Sequence, residues 1–333
     1  MLHPHRLVLA TTAAAALLLT ACGSGTPASP SVSASASPSV SVTPTASATP
    51  TSSVVVSNSI DSIKVTGERL KAPKVTFKAP FAIDETRTRV EVAGKGAKAV
   101  ETGFVTVHYY GVNGRTGKSF DESYSRKQTV TFPLNQVIEG FKKGLTGQAE
   151  GSRVLIVMPG SDGYDASGGS SDGSIAVGDT LLFVVDVVDV SLTEPSGKAI
   201  TPAAGLPTVT PGTGKPTITI PAGAPAPTKM AAQTLIQGTG AKVAKTDTIL
   251  ARYVGVSWKT GQVIDDQFDT PSSGLLSSTI PGWQSGLVGK TVGSRVMLVL
   301  PPKEGFPEGS NNPPVEAGDT VVYVIDLLFA YSA

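Results

Sequence analysis

The chain has 333 residues, of which 27 are Lys or Arg and 26 are Asp or Glu, for a formal net charge of +1. That length accommodates two ordinary domains, and so even a charge balance calls for neither nucleic acid nor another polyanion as partner. One cysteine and three histidines, two of them at positions 3 and 5, leave too little donor chemistry for a histidine-rich zinc site or a Ser/His/Asp relay.

The chain begins MLHPHRLVLATTAAAALLLTACGSG. Arg6 and the amino group supply a thin positive region, and Leu7 to Leu19 form an apolar run too short to span a membrane comfortably. Residues 1–21 are therefore expected to be a secretory signal. Its end, Leu19-Thr20-Ala21-Cys22-Gly23, resembles the lipobox of bacterial lipoproteins, which implies lipidation of Cys22 and an extracytoplasmic protein lipid-anchored to the cell membrane. Cys22 is the only cysteine, so no internal disulfide competes for it. Residues 22–60 are rich in Ser, Pro and Thr, without aromatics or charge from Gly23 to Ile60, and read as a disordered tether.

Beyond the tether the chain repeats itself. Tyr109 and Tyr253 stand about 144 residues apart, as do Asp121 and Asp265. EGSRVLIVMP at Glu150 matches VGSRVMLVLP at Val292, and VGDTLLFVVDVV at Val177 matches AGDTVVYVIDLL at Ala317. A unit this long is a domain and not a solenoid repeat. Two homologous domains are expected, 61–193 and 205–333, joined by a turn-rich linker at 194–204.

Within the first unit FVTVHYYG sets Val105, Val107 and Tyr109 on one face of a strand and Phe104, Thr106 and His108 on the other. That alternation turns His108 away from Tyr109 and gives it a structural role. Gly114 and Gly117 mark a loop before Ser119-Phe120-Asp121, and QVIEGFKKGLTG places Val137, Phe141 and Leu145 at helical spacing. The segment Asp165 to Ser174 is glycine-rich and reads as a mobile loop. TLLFVVDVVDV is apolar but is cut by Asp186 and Asp189, so it is a strand and not a span. The second unit repeats the helix in TIPGWQSGLVG, where Pro281 suits a first helical position. The pattern predicts mostly antiparallel sheet packed on one short helix per unit.

Val107-His108-Tyr109-Tyr110-Gly111, Phe120-Asp121, Val137-Ile138-Glu139-Gly140-Phe141, Tyr164 and Thr180-Leu181-Leu182-Phe183, in this order and spacing, resemble the FKBP-type peptidyl-prolyl cis-trans isomerases. The likeness runs over most of both units. It implies an α+β fold, each domain an antiparallel half-barrel sheet wrapped around one short helix, with an apolar pocket for a prolyl residue. Carried over position by position, the first domain's catalytic set is Tyr109, Asp121, Tyr164 and Phe183. Its substrate-binding set is Phe120, Arg126, Val137, Ile138, Phe141 and Ile175, with Arg126 placed to pair with Asp121. Two departures, Phe141 at a floor position often held by tryptophan and Val130 at a wall position often aromatic, imply a roomier site. Phe132 opens the following strand.

These residue types suit the reaction the resemblance implies. Amide resonance sets a rotation barrier of about 18–20 kcal/mol, and twisting the bond breaks no covalent link. No nucleophile, metal or cofactor is called for. The twisted amide is less polar than the planar one, so an apolar aromatic pocket binds it relatively better. About 5–7 kcal/mol of differential stabilisation brings the process to milliseconds. Tyr164 is expected to donate to a substrate carbonyl, with Asp121 and Tyr109 orienting the twisted one. The adjacent carboxylates Asp121-Glu122 and Asp265-Asp266 read as a solvated loop edge and not as an acid/base pair.

In the second unit Tyr253, Asp265, Ile280 and Trp283 match the pocket, and the tryptophan floor returns. Ile264 replaces Phe120, Phe306 replaces Tyr164, Val315 replaces Ile175 and Tyr323 replaces Phe183, while no arginine corresponds to Arg126. Weaker or absent isomerase activity is expected there, with binding retained. The sequence thus reads as an isomerase that accelerates folding of exported proteins at X-Pro bonds, its partners being proline-containing unfolded or exported polypeptides and the membrane. The family's macrolides are a candidate ligand class. The alternative is a non-catalytic extracytoplasmic chaperone or binding module that uses the same clefts.

Overall fold

The computed structural model describes residues Val55 to Ser332. The expected signal peptide, Cys22 and the tether up to residue 54 lie outside the described residues. In the first domain the strands are β1 (Val56–Ser57), β2 (Lys64–Thr66), β3 (Lys74–Thr76), β4 (Ala82–Ile83), β5 (Arg87–Val92), β6 (Phe104–Asn113), β7 (Ser119–Glu122) and β8 (Val130–Pro133). Helix α1 (Glu139–Leu145), β9 (Arg153–Met158) and β10 (Leu181–Val190) complete it. The second domain comprises β11 (Gly197–Ala199), β12 (Thr208–Val209), β13 (Ile218–Thr219), β14 (Ala231–Gly238), β15 (Thr248–Ser257), β16 (Val263–Asp266) and β17 (Ser272–Leu275). It ends with α2 (Pro281–Leu287), β18 (Arg295–Leu300), β19 (Ser310–Asn311), β20 (Pro314–Val315) and β21 (Val321–Tyr331).

Two of the expected boundaries shift. Residues 55–60, counted with the tether by composition, enter the first domain: Val56 and Ser57 pair in parallel with Ala82 and Ile83, and Ile60 is buried. The linker 194–204 contributes β11, which pairs with β14 and so belongs to the second sheet. Composition misses both because pairing is a main-chain interaction that polar and small residues make as readily as apolar ones.

The first main sheet runs β5-β9-β10-β6-β7, with β8 also on β6, and the second runs β11-β14-β18-β21-β15-β16, with β17 also on β15. Every neighbouring pair in both is antiparallel. Each sheet is an open path with two edges. The central strands β9 and β18 are buried along their whole length, which requires cover on both faces. On one face of the first sheet the cover is α1: Val105, Val107, Val154, Ile156 and Val185 form a core with Leu134 and Leu145. The helix sits close because Gly140 and Gly144 face the sheet, where an added Cβ would lie 2.4 Å from Met158 Sδ and 2.7 Å from Ile156 Cδ1. Gly282 and Gly286 of α2 meet Leu300 and Leu298 in the same way.

The opposite face is covered by the segment ahead of each sheet. Ile60, Ile63, Val65, Val75 and Phe77 pack on Leu155, Val157, Leu182 and Val184, and Val209, Ile218 and Ile220 pack on the second sheet. A buried ion pair fixes each cover. Arg153 and Asp186, 1% and 0% exposed, pair at 2.7 Å, and the Arg153 guanidinium also donates to the carbonyls of Gly67 and Lys71. Arg295 and Asp326 repeat this, with Arg295 donating to the carbonyls of Gly212, Thr213 and Gly214. The periodicity of the sheets carries no signal for this second layer, which the sequence reading lacked.

The two domains meet through their own small core. Phe104 stacks on Phe329 at 6.1 Å between ring centroids, and Leu192, Leu250, Leu328 and Tyr331 join them. The Leu192 amide donates to the Leu328 carbonyl across this contact.

Candidate functional site

Strand β6 carries Tyr109 on the helix-facing side and Tyr110 and Val112 on the other, as a period of two requires. Strand β7 pairs beside it with Gly111 opposite Asp121, which brings the Tyr109 and Asp121 side chains to one rim. The Tyr109 hydroxyl donates to Asp121 Oδ2. Arg126 Nη1 donates to Asp121 Oδ1 at 2.9 Å, and its Nη2 donates to the Tyr109 hydroxyl at 3.0 Å. The arginine pairing expected from the sequence is therefore present, on a partly exposed rim.

Burial alone would raise the Asp121 carboxyl; the hydrogen bonds from Tyr109 and Arg126, with the Arg126 charge, hold it below its ordinary value. Burial first, and the neighbouring carboxylate second, push the Tyr109 phenol up to about 12. Around neutral pH the rim thus holds a neutral phenol, a carboxylate and a guanidinium, bonded to one another.

Below the rim lie the rings. Phe183 projects from β10, with Phe141 of α1 at 4.6 Å and Phe120 of β7 edge-on at 5.4 Å. Val137, Ile138, Tyr164 and Ile175 pack on the same core, so the apolar and aromatic residues expected of the first pocket share the helix-facing layer, with Asp121 and Arg126 bonded to Tyr109 at its rim. Tyr164 is half-buried ahead of a short 3-10 turn at Asp165–Ser167, and burial followed by the Asp121 charge raises its phenol.

Several positioning residues escaped sequence reasoning. An added Cβ on Gly111 would lie 2.7 Å from Phe120 Cζ and 3.0 Å from Phe183 Cε1, so the edge-on ring contact requires glycine there. Phe132 packs edge-on against Phe141 at 6.0 Å and supplies an aromatic wall that Val130 does not. The buried Asp179 accepts from Asn113 Nδ2, Arg115 Nε and the Ala176 amide, which anchors the loop that delivers Ile175. The glycine-rich stretch of that loop, expected to be mobile, carries local bonds as well: Asp172 Oδ1 accepts from the Ser170 and Ser174 hydroxyls. The Gly-Asp-Thr triplet recurring at 178 and 318 is the signal that could have found this anchor, since Asp319 likewise accepts from the Ser257 hydroxyl and the Lys259 amide. His108 lies on the far side of β6, stacked on Tyr124 and bonded through Nδ1 to Ser123 Oγ at 2.9 Å.

The second cluster is built on the same frame with different chemistry. Trp283 of α2 lies edge-on to Tyr253 at 4.8 Å and to Tyr323 at 5.5 Å. Ile264, Ile280, Phe306 and Val315 complete it. Among the described residues Asp265 has no arginine partner; its side-chain neighbour is the Tyr323 hydroxyl, donating at 3.4 Å. Burial raises the Asp265 carboxyl, the reverse of the shift at Asp121. The Trp283 indole N–H is buried without a hydrogen-bond partner among the described residues.

A family model described as FKBP-type peptidyl-prolyl cis-trans isomerase matches residues 95–188 and again 240–328. The chain is 39% identical over 97 residues to a probable FK506-binding protein of Corynebacterium glutamicum, covering 29% of this chain and 80% of that protein. It is 40% identical over 99 residues to an FK506-binding protein of Streptomyces anulatus, covering 29% of this chain and 77% of that one. The crystal structure of FkpA from Escherichia coli aligns with a TM-score of 0.29 at 33% identity, over 32% of this chain and 47% of that one. Matched by that model over more than half of its length, in two separate stretches, the chain belongs to the FKBP-type peptidyl-prolyl cis-trans isomerases and carries two such domains.

Proposed function

We propose that isomerisation takes place in the first domain, in the pocket floored by Phe183, Phe141 and Phe120, within a half-barrel arrangement of sheet over helix. The observation that carries this reading is the Tyr109–Asp121–Arg126 rim set directly above that ring cluster. A prolyl ring entering between Phe120 and Phe141 leaves water, and the amide that precedes it meets apolar walls that favour the twisted, less polar state. The Tyr164 hydroxyl donates to a substrate carbonyl and fixes the peptide's direction, as Asp121 and Tyr109 fix the wall against which the amide turns. Charge stays on the rim, where Arg126 neutralises Asp121 and no unpaired anion opposes burial of the substrate.

In the second domain Tyr323 brings a hydroxyl into the place of Phe183, Phe306 has none to donate, and Asp265 stands without a cation among the described residues. These three differences favour a binding role there, on the Trp283 floor. The substrates we infer are proline-containing segments of unfolded, exported polypeptides. The family's macrolides are expected to compete for the first pocket. The lipobox-like end of the leader supports anchorage through Cys22; Cys22→Ala should move the protein from the membrane fraction to the medium, and retention of the variant in the membrane would refute the anchor.

The test of the site is proline isomerisation of a short X-Pro peptide by the full chain. Asp121→Leu and Tyr164→Phe are expected to lower kcat/KM while the melting temperature holds. Unchanged rates in both would remove the catalytic assignment and leave the non-catalytic chaperone as the better reading.

A further inference from the structure

The two main sheets differ at one edge. In the second, the outermost strand is β11, paired antiparallel to β14 with Gly197 opposite Gly238, Lys198 opposite Gln237 and Ala199 opposite Ile236. The Ile200 amide continues the pairing by donating to the Leu235 carbonyl. In the first sheet the counterpart of β14 is β5, and β5 is itself outermost: among the described residues no strand pairs with its free side.

Three features set the correspondence between the edges. The β14–β18 ladder has a bulge between Thr234 and Ile236, and the β5–β9 ladder has one between Val90 and Val92. Just past each strand a glycine amide donates to a serine hydroxyl, Gly238 to Ser294 and Gly94 to Ser152, at 2.9 and 3.0 Å. Arg295 stands opposite Ile236 as Arg153 stands opposite Val92. Residues 92–94 therefore correspond to 236–238. By the period of two in such a ladder, the groups that face β11 belong to Leu235 and Gln237, and those that face outward on the first sheet belong to Glu91 and Ala93.

The side chains tell the same story. Ile236, beside β11, is 8% exposed, whereas Val92 is 42% and Val90 47% exposed. The exposed set on β5, Thr88, Val90 and Val92, is uncharged, and the charges that alternate with it are paired within the chain, Arg87 with Asp84 and Glu85 and Arg89 with Glu91. Among the described residues the chain ahead of β5 does not pair with this edge as β11 pairs with its counterpart: Val56 and Ser57 pair with Ala82 and Ile83, and β5 reaches the Ile60 and Ile63 carbonyls only through the Arg89 side chain.

We propose that the Val90 to Gly94 edge of the first domain binds an extended segment of a client polypeptide as an added antiparallel strand, in the manner in which β14 holds β11. The proposal rests on the reading of the clients as unfolded polypeptides, but it uses none of the pocket residues. Main-chain bonds to Glu91 and Ala93 make the site tolerant of sequence, and Val90 and Val92 favour apolar or β-branched residues at alternate client positions. A client held there stays on the protein while successive prolines reach the pocket.

The probe is a fluorescent peptide with the sequence of this chain's own residues 194–201, titrated against the full chain by anisotropy. Saturable binding is expected, weakened by ~tenfold or more in Val90→Lys/Val92→Lys, since a charged edge opposes strand addition. A chemically unfolded, proline-free client should displace the peptide. The melting temperature and the isomerisation of a short peptide should be unchanged in the double variant, which keeps folding failure apart from loss of the edge. No saturable binding, no displacement by the client, or binding unaffected by the double variant, as strand exchange at β14 would give, overturns the proposal. So does a concentration-dependent dimer in sedimentation that the variant abolishes, because the occupant is then a second copy. Isomerisation and peptide binding are read separately, so an inactive chain that still binds the peptide refutes the isomerase site alone.

Discussion

Gly111 and Gly255 offer one perturbation in two places. An added Cβ at Gly111 would lie 2.7 Å from Phe120 Cζ, and one at Gly255 would lie 2.6 Å from Tyr323 Cε1. Carbon atoms in comfortable contact stand about 3.5–4.0 Å apart, so in both domains a ring must retreat by about 1 Å. Overpacking of this size costs about 1–3 kcal/mol, or a melting shift of roughly 3–12 °C for a domain of this length. Gly111→Ala and Gly255→Ala should therefore destabilise their own domains to a similar degree.

Their effects on catalysis should differ. In the first domain the retreating rings, Phe120 and Phe183, form the floor proposed for the prolyl residue, and about 1.4 kcal/mol of lost transition-state binding is a tenfold loss of rate. Isomerisation of a short X-Pro peptide, measured well below either melting temperature, should fall about tenfold or more in Gly111→Ala and hold in Gly255→Ala. Equal losses in the two variants would refute the assignment of catalysis to the first domain. An unaltered rate in Gly111→Ala, with its melting temperature lowered, would show that the ring cluster is not where the proline binds.

Tyr164→Phe should reduce kcat/KM by about 3- to 10-fold, the worth of one neutral hydrogen bond, with no change in melting temperature. In that background the triple change Ile264→Phe/Phe306→Tyr/Tyr323→Phe should raise the rate above that of Tyr164→Phe alone, through the second domain; a rate no higher than Tyr164→Phe would mean that the missing arginine is also essential. Arg153→Met leaves the Asp186 carboxylate buried without its cation and should cost about 3–5 kcal/mol in denaturant unfolding, part of which Arg153→Met/Asp186→Leu should recover. Asp189, half-buried beside Glu150, has its carboxyl raised to about 6, by burial first and the Glu150 charge second. The folded chain thus holds a proton that the unfolded chain releases near pH ~4, so this group's stabilising contribution is present below that pH and is lost as pH rises through about 6. Asp189→Asn should raise stability at neutral pH by about 1–2 kcal/mol, after a discount for solvent screening, and flatten its dependence between about pH 4 and 6; a variant no more stable at pH 7 than the parent would contradict this.

The legible parts of the molecule were those written in side-chain chemistry at fixed spacing. Tyr109, Asp121 and Arg126 are separated along the chain by a loop, yet each residue type has one evident use, and the rim assembles them as expected. Both helices fall where their apolar spacing places them, and Pro281 opens the second. Main-chain pairing was illegible: Gly197, Lys198 and Ala199 look like linker, and only their ladder with β14 makes them a strand. So was the second layer of each domain. Val65 and Val75 lie in short polar stretches, and their cover over the sheet depends on Arg153 reaching the carbonyls of Gly67 and Lys71. A buried arginine aimed at carbonyls leaves no periodic trace.

The duplication separates what the fold needs from what the site needs. Arg153–Asp186 and Arg295–Asp326 are the same buried pair, and the glycines on both helices meet the same strand positions, so the frame has been kept at its most costly points. The differences lie at the pocket: a guanidinium present beside Asp121 and absent beside Asp265, a phenol at position 164 and none at 306, a bare ring at 183 and a hydroxylated one at 323. None of these changes touches the covering segments, so the second domain can lose catalysis without losing stability. Its carboxylate marks the outcome. Asp121, paired with a cation, is held charged at the mouth of the proposed pocket, whereas the Asp265 carboxyl is raised by burial and bonded to the Tyr323 hydroxyl inside its own cluster. A carboxylate held charged on the rim by Tyr109 and Arg126 is what distinguishes the first copy from the second.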